Sequence, residues 1–261
     1  MPRHQRILSE NGTYHVMIRG NERKNLFLDE EDKQKFIEIL NTKKEETGFL
    51  IFAYCLMDNH VHLLVRESIE GLATIMKRIN VSYVYYFNQK NRRTGHLFQD
   101  RFKSEPIDEE RYLLSVLRYI HNNPLKAGMV EKPEQYKWSS YGSYLNPHRP
   151  EAKMVDTAFI LSLMANDQKK AIQEFKKFSI EKDESEFLDI EEGNIWTIEE
   201  AKSYLEEYLT KRWRGKSIEE LMDHKDSRRE IIIELKTNTR LSVRAIANLL
   251  GLNRGIVQKM R

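Results

Sequence analysis

The sequence predicts an α+β fold in which an antiparallel sheet packs against helices on one of its faces. Thr13–Arg19 is rich in β-branched and aromatic residues, which is typical of a strand. Residues 29–47 repeat apolar positions with the period of a helix. Residues 50–57 and 60–66 flank the two-residue turn 58–59, which predicts a tight hairpin. Short strands interleaved with a helix in this way indicate a layered domain.

The remaining elements follow from the same two periodicities. Residues 71–91 and 108–122 have the pattern of amphipathic helices, and a strand is expected at 101–107 between them. Pro124 is expected to end the second of these helices, because a proline disfavours helical geometry in the residue before it. Beyond residue 150 the pattern is helical, with segments expected at 156–179, 197–210 and 217–261.

The pattern divides the chain into three regions. Residues 1–147 form the sheet-containing domain, 148–215 a helical extension with an acidic linker, and 216–261 an all-α region with a helix-turn-helix. The two ends of the chain are basic and its middle is acidic, and basic ends are compatible with nucleic-acid binding.

The composition limits the class of protein. Hydrophobic residues make up 40% of the 261 residues, enough to bury a substantial core. The sequence has no apolar N-terminal run of signal-peptide type and no apolar stretch of about 18 residues, so we expect a soluble, cytoplasmic protein without a membrane partner. Cys55 is the only cysteine, which excludes an internal disulfide and a cysteine-based zinc cluster.

The segment His60-Val61-His62 indicates a metal site. Residues two apart on a strand project to the same face, so both imidazoles can reach one ion while Val61 faces the core. We expect the two rings to line a wet cleft. The alternative is that two surface histidines fall two apart by chance.

Tyr119 lies on the helix expected at 108–122, and Asn123 lies four residues later, at the end of that helix. Residues four apart share one flank of a helix, here the flank beside the buried stripe. Tyr119 could be a packing residue and Asn123 a terminating residue. Next to a metal site, however, a tyrosine hydroxyl could attack a phosphodiester whose charge the ion offsets. Two imidazoles and an amide oxygen favour Mn²⁺, and Mg²⁺ is the other candidate.

Five segments in order resemble the single-tyrosine transposases of the insertion-sequence type, and among them the REP-associated tyrosine transposases. They are HVMIRGN from His15, AYCLMDNHVHLL from Ala53, GHLFQDRFK from Gly95, RYIHNNP from Arg118 and WSSY from Trp138.

The resemblance implies a ferredoxin-like HUH domain, with His60, His62 and Asn123 as metal ligands and Tyr119 as nucleophile. It also implies cleavage of single-stranded or hairpin DNA through a 5′-phosphotyrosine, with a free 3′-hydroxyl. Asp58 departs from the family pattern, which usually has proline there. This carboxylate could loosen the hairpin or lie near the ion.

Basic and aromatic residues of the first region suit a groove that follows a DNA backbone. The candidates are Arg19, Asn21, Arg23, Lys24, Arg92, Arg93, Arg101 and Lys103, with Tyr85 as a residue that stacks on a base. Tyr85 is also the runner-up nucleophile. His15 and His121 are interpreted as surface or strand-end residues rather than ligands.

Residues 241–261 have the pattern of a helix-turn-helix, with Ser242 and Asn253 as N-caps and Gly251 ending the first helix. Its outward residues would suit duplex DNA and are Arg254, Gln258, Lys259 and Arg261. A helical hairpin used only for packing is the alternative. Two other functions stay open: a DNA-binding regulator that does not cut, and a replication-initiator or relaxase nickase. The chain is expected to be a monomer or a homodimer.

Overall fold

The computed structural model describes residues 6–146, 150–181, 198–214, 216, 218–239, 241 and 243–260. The first part contains four strands: β1 (Thr13–Arg19), β2 (Leu50–Leu56), β3 (His60–Arg66) and β4 (Lys103–Pro106). They form one antiparallel sheet in the order β2-β3-β1-β4. The predicted strands and the hairpin are thereby confirmed.

Three helices accompany the sheet: α1 (Glu30–Thr47), α2 (Leu72–Lys90) and α3 (Glu110–Lys126). The element order β1-α1-β2-β3-α2-β4 with this strand order is the ferredoxin-like topology. The predicted α+β class is therefore confirmed. Asp29 caps α1 by accepting from the N–H of Asp32, and Gly48 ends it in the left-handed region at φ 73°.

The expectation that helices cover only one face of the sheet is wrong. The ring of Tyr119 on α3 contacts His15 of β1 and His62 of β3, so α3 lies on the histidine face. The opposite face buries alternate residues such as Val61 completely, in one core with the buried side of α1 and α2. Both faces are covered, which is why the strands are apolar on both sides.

Helix α3 also continues through Pro124, contrary to the prediction that it ends before this proline. Pro124 forfeits only the single hydrogen bond that its missing N–H would donate, and its ring is buried. The chain then closes one more turn, because the N–H of Ala127 donates to Asn123 O at 3.0 Å and that of Met129 to Pro124 O at 2.9 Å. Asn123 therefore lies within the helix, whereas the sequence predicted it at the end.

Three further helices belong to the first compact unit, which spans residues 1–189. They are α4 (Tyr141–Leu145), α5 (Thr157–Met164) and α6 (Gln168–Ile180). The single helix expected at 156–179 is thus two, because Asp167 caps α6 by accepting from the N–H of Lys170 at 2.8 Å. Helix α6 packs against α3, so the compact unit extends past the boundary expected at residue 147.

The second compact unit spans residues 190–261 and is helical where it is described. Its helices are α7 (Ile198–Arg212), α8 (Ile218–Asp223), α9 (Lys225–Asn238), α10 (Val243–Leu249) and α11 (Arg254–Lys259). They enclose a core of their own around Ile231, Ile246 and Val257. In neither unit does a described helix have the length and apolar character needed to cross a bilayer.

Candidate functional site

Strand register arranges polar side chains in rows across the histidine face. One row pairs His60 with Arg19, and a second runs from Cys55 through His62 and Met17 to Lys103. Residues paired directly across antiparallel strands point to the same side of the sheet. The predicted ligands therefore share one face with two of the predicted DNA-binding residues, Arg19 and Lys103.

The two predicted ligands lie close together but not in a wet cleft. Their ring centroids are 5.0 Å apart, and the side chains of His60 and His62 are 6% and 0% exposed. The expectation of a solvent-filled cleft is wrong, because α3 covers this face of the sheet. A substitution at His62 therefore also removes a fully buried side chain.

Hydrogen bonds at Nδ1 set the orientation of both rings. Nδ1 of His60 is 2.6 Å from Oδ1 of Asn59, so this nitrogen carries the proton and donates it. Nδ1 of His62 is 3.0 Å from Nε2 of His15. Nε2 of His62 is buried and has no hydrogen-bond partner among the described residues. A buried nitrogen in this state is what a metal ion would satisfy.

Electrostatics favour the neutral form of His62. The pKa of His62 is well below its usual value, first because of burial and then because of the neighbouring His15 and His60. A neutral imidazole is the form that binds metal ions. No group of three or more His, Cys, Asp or Glu able to hold an ion occurs in the part of the chain that the structure describes. The two imidazoles fit a divalent ion whose remaining ligands are an amide oxygen, phosphate or water.

Tyr119 lies against the histidines. Its ring centroid is 5.6 Å from that of His62 and 5.8 Å from that of His15, and the residue is 4% exposed. The ammonium of Lys126 lies 4.6 Å from the centroid of the Tyr119 ring. The sequence interpretation missed Lys126, because it ended the helix before Pro124. The sequence signal for this contact is the spacing of seven residues, or two helical turns, between Tyr119 and Lys126.

Asn123 is one turn after Tyr119, where its side-chain nitrogen donates to Tyr119 O at 3.4 Å. Its assignment as a third ligand stays a prediction. Asp58 does not loosen the hairpin: its carboxylate binds Lys33 Nζ at 2.8 Å, and its backbone oxygen accepts from Leu26 N–H at 2.7 Å. These bonds tie the turn before His60 to α1 and the segment preceding it.

The interpretation of His15 and His121 as surface or strand-end residues is wrong. Both are fully buried, His15 in the middle of β1 and His121 on α3, where its Nε2 is 2.8 Å from Ser140 Oγ. The β-sheet register that brings His15 to His62 depends on pairing between distant strands. A single sequence gives no direct signal for that pairing.

The other predicted DNA-binding residues of the first unit lie apart from the two rows. Asn21, Arg23 and Lys24 follow β1 in a short 3-10 turn, and Arg92 and Arg93 follow α2. Arg101 precedes β4 and is exposed. Tyr85 is 67% exposed in a groove between α1 and α2, with Gln89 donating to its hydroxyl.

In the second unit, helices α10 and α11 are separated by a turn at Gly251, and Asn253 caps α11 as predicted. Gln258 and Lys259 are exposed. The side chain of Arg254, and Ser242 and Arg261 altogether, lie outside the described residues. The helix pair is observed, and its use as a DNA-reading motif stays a prediction.

Comparison with known proteins shows similarity within the first unit. Residues 9–123 match the family described as "Transposase IS200 like". A Haemophilus influenzae protein whose name describes it as a REP-associated tyrosine transposase is 24% identical over 152 residues, which cover 54% of this chain and 86% of that protein.

Two solved structures are also similar to the chain. A REP-associated tyrosine transposase bound to a REP hairpin is 18% identical with a TM-score of 0.49, over 60% of this chain and 94% of that one. A protein of Deinococcus radiodurans described as a transposase is 17% identical with a TM-score of 0.32, over 46% of this chain and 97% of that one.

Proposed function

We propose that the chain is a metal-dependent enzyme that cuts and rejoins single-stranded or hairpin DNA through Tyr119, a proposal supported by the match of residues 9–123 to the family described as "Transposase IS200 like". One observation carries this proposal: the tyrosine ring lies 5.6 Å from that of His62, on the sheet face that also holds His60. The proposed nucleophile and the two imidazoles of the proposed metal site thus lie close together.

The proposed reaction exchanges one phosphate ester for another. The phenol oxygen of Tyr119 attacks the phosphorus, and the bond from phosphorus to the 3′ oxygen breaks. The 5′-phosphate becomes joined to the tyrosine, while the 3′ oxygen leaves as a hydroxyl and takes up the equivalent of the phenol proton. Reversal with a second 3′-hydroxyl rejoins the strand, because the phosphotyrosine conserves the ester.

His60 and His62 would hold a divalent ion, Mg²⁺ or Mn²⁺, with Asn123 as the proposed third ligand. When bound, the ion would offset the charge of the phosphate and orient it. Arg19 lies beside His60 and Lys103 in the row of His62, so both can bind the flanking phosphates. Lys126 over the tyrosine ring favours negative charge at the hydroxyl.

The test is a cleavage assay on labelled single-stranded and hairpin DNA, the substrates of the proposed reaction. DNA that flanks the gene of this protein supplies the first sequences to try. We expect a covalent adduct between protein and DNA with Mn²⁺ or Mg²⁺ and none with excess chelator. Full cleavage in chelator would exclude the metal role.

Two alternative functions give different results in the same assay. A regulator that does not cut would bind the hairpin without forming an adduct under any metal condition. A replication-initiator or relaxase nickase would form the adduct but would act on a nick site in an origin or transfer region. The match to an IS200-like transposase family favours the strand-transfer reaction over both.

We further propose that residues 254–261 read duplex DNA through Arg254, Gln258, Lys259 and Arg261. A fragment of residues 1–189, which form a compact unit, should still cut a short hairpin. Its binding to longer DNA should have a shallower salt dependence, by about one counterion for each lost phosphate contact. An unchanged salt slope would mean that the second unit only packs or dimerises.

A further inference from the structure

A fully buried histidine lies behind the proposed metal site. His15 is 0% exposed in the middle of β1, in a row with the apolar residues Ala53 and Leu64. An imidazole in such a row must be desolvated, and an apolar side chain could fill this space without that cost. The presence of a histidine at this position is therefore best explained by the polar side chains around it.

The neighbours of His15 form a chain of polar contacts across three strands and a helix. Nε2 of His15 is 3.0 Å from Nδ1 of His62, and Nδ1 of His15 is 3.8 Å from Oε2 of Glu105. The hydroxyl of Tyr112 donates to Oε1 of Glu105 at 2.8 Å. The cross-strand register places Glu105 directly opposite His15, so the carboxylate is held beside the ring by the sheet itself.

These contacts favour one arrangement of the protons. The Glu105 carboxylate, 3.8 Å from Nδ1 of His15 and beyond hydrogen-bond distance, electrostatically favours a proton on that nitrogen, which leaves Nε2 of His15 as an acceptor. The proton between the two rings then belongs to Nδ1 of His62. Nε2 of His62, which is buried without a partner among the described residues, keeps its lone pair.

We propose that His15, Glu105 and Tyr112 act as a positioning relay that holds His62 in the tautomer and orientation needed to bind the ion through Nε2. The inference rests on the proposed function, since it assumes a divalent ion at His60 and His62. None of the three residues touches the reacting atoms. Carboxylates behind metal-binding histidines have this effect elsewhere, and their loss weakens metal affinity about 10- to 100-fold.

The relay also connects the metal site to the helix of the nucleophile. Tyr112 and Tyr119 are seven residues apart on α3, two turns along the same side of the helix. Tyr112 binds the Glu105 end of the relay, and Tyr119 packs on the His15 and His62 rings. Two hydrogen bonds and the electrostatic contact between them thus connect the proposed ligand His62 to the helix of the proposed nucleophile.

The experiment measures the Kd of the full-length protein for Mn²⁺ alone from the EPR signal of the free ion, without DNA. We expect His15→Met to weaken binding about 10- to 100-fold and Glu105→Leu about 10-fold. His15→Gln should restore most of the affinity, because its amide group can reach the position of Nε2. Met17→Leu is the matched control, a buried residue two positions away on the same strand and face, and should bind like the wild type.

The outcomes separate the relay from the proposed function. If the wild type binds Mn²⁺, His60→Ala abolishes binding and both His15→Met and Glu105→Leu bind normally, the relay is overturned and the metal site stands. A wild type that does not bind Mn²⁺ overturns both. Should His15→Met fail to fold, as its melting curve would show, Glu105→Leu decides alone, because this side chain is 30% exposed. Unchanged affinity in that variant overturns the relay.

Discussion

Helix α3 packs against buried histidines on one side and carries a buried histidine of its own on the other. The two sides differ in the side chains that surround these histidines. Tyr119 and His121 are two apart and so point about 200° apart around the helix. On the first side, the rings of His15 and His62 meet Tyr119. On the second side, His121 lies among aromatic rings and one hydroxyl, those of Tyr141, Tyr144, Phe175 and Ser140.

Burial does not distinguish the two sides. His62 and His121 are both fully buried, and desolvation lowers the pKa of each, that of His121 to about 3. The difference is that polar groups from separate elements converge on His62, whereas His121 fills a packed aromatic cluster. We infer that burial and a lowered pKa do not by themselves indicate a functional histidine. The side chain must also lie beside a nucleophile or further ligands. Four predictions test this contrast.

The largest effect is expected for Tyr119→Phe, which removes one oxygen and keeps the ring. Covalent DNA adducts should fall by a factor on the order of 10⁴ or more, while hairpin binding and Tm stay close to the wild type. Denaturing gels with labelled DNA measure the adduct. Tyr85→Phe is the control, since Tyr85 is exposed between α1 and α2 and should cut normally. Adducts that persist in Tyr119→Phe would remove this residue from the reaction.

His62→Ala and His121→Ala both remove a fully buried ring and should both lower stability, but they should differ in cleavage. The first should lose cleavage at least about 100-fold, because one remaining imidazole holds the ion poorly. The second should keep cleavage at low temperature within about threefold but lose roughly 2–3 kcal/mol of stability, because it opens a cavity in a packed cluster. Cleavage rates and urea unfolding measure both. Equal loss of cleavage in the two variants would mean that the two sides are not distinct.

Lys126→Met should reduce the rate of adduct formation about tenfold, with little effect on stability. The lost cation lies 4.6 Å from the Tyr119 ring centroid, and an interaction of about 1–2 kcal/mol with developing charge corresponds to a factor of this size. Lys132→Met, which removes an exposed lysine just after α3, is the matched control. A rate in Lys126→Met equal to that of the control would show that the ammonium only packs on the ring.

The smallest effect concerns the pH dependence of stability at His121. Its pKa is about 3 in the folded chain and 6.5 is the usual value, so between these values the unfolded chain binds the extra proton. Stability therefore falls as the pH drops through this window, by about 1.4 kcal/mol per pH unit for each such group. His121→Phe should flatten the slope by this amount. Urea unfolding of the wild type and the variant at pH 4 to 6 measures both slopes, and an unchanged slope in His121→Phe would contradict the assignment.

Local sequence signals predicted the elements well but not their contacts. The alternation around His60 and His62 and the helical period of residues 29–47 depend on neighbours in sequence, and the structure has the strand and the helix that they indicate. His15 was set aside, because its role depends on which strand pairs with β1 and in which register. Local patterns give no such information.

Two other differences arise where a local rule competes with packing. Pro124 should end a helix by its own geometry, but burial of its ring in the first unit permits one more turn, and Lys126 thereby comes to lie over Tyr119. The expectation of a wet cleft failed for a similar reason. Alternation shows that two histidines share a face, but it does not show that α3 covers that face.

The strand order β2-β3-β1-β4 has a consequence for local opening. Strands β1 and β3 are the interior pair, so the backbone hydrogen bonds around His15 and His62 are broken only when the sheet itself opens. Tyr119 lies instead on a helix, and at 4% exposure it cannot receive a phosphate without a local rearrangement of its surroundings. Amide exchange should therefore be slowest in β1 and β3 and faster in the last turn of α3. The two histidines of the proposed metal site thus lie on or beside the strand pair that opens last, whereas Tyr119 and Asn123 lie on a helix.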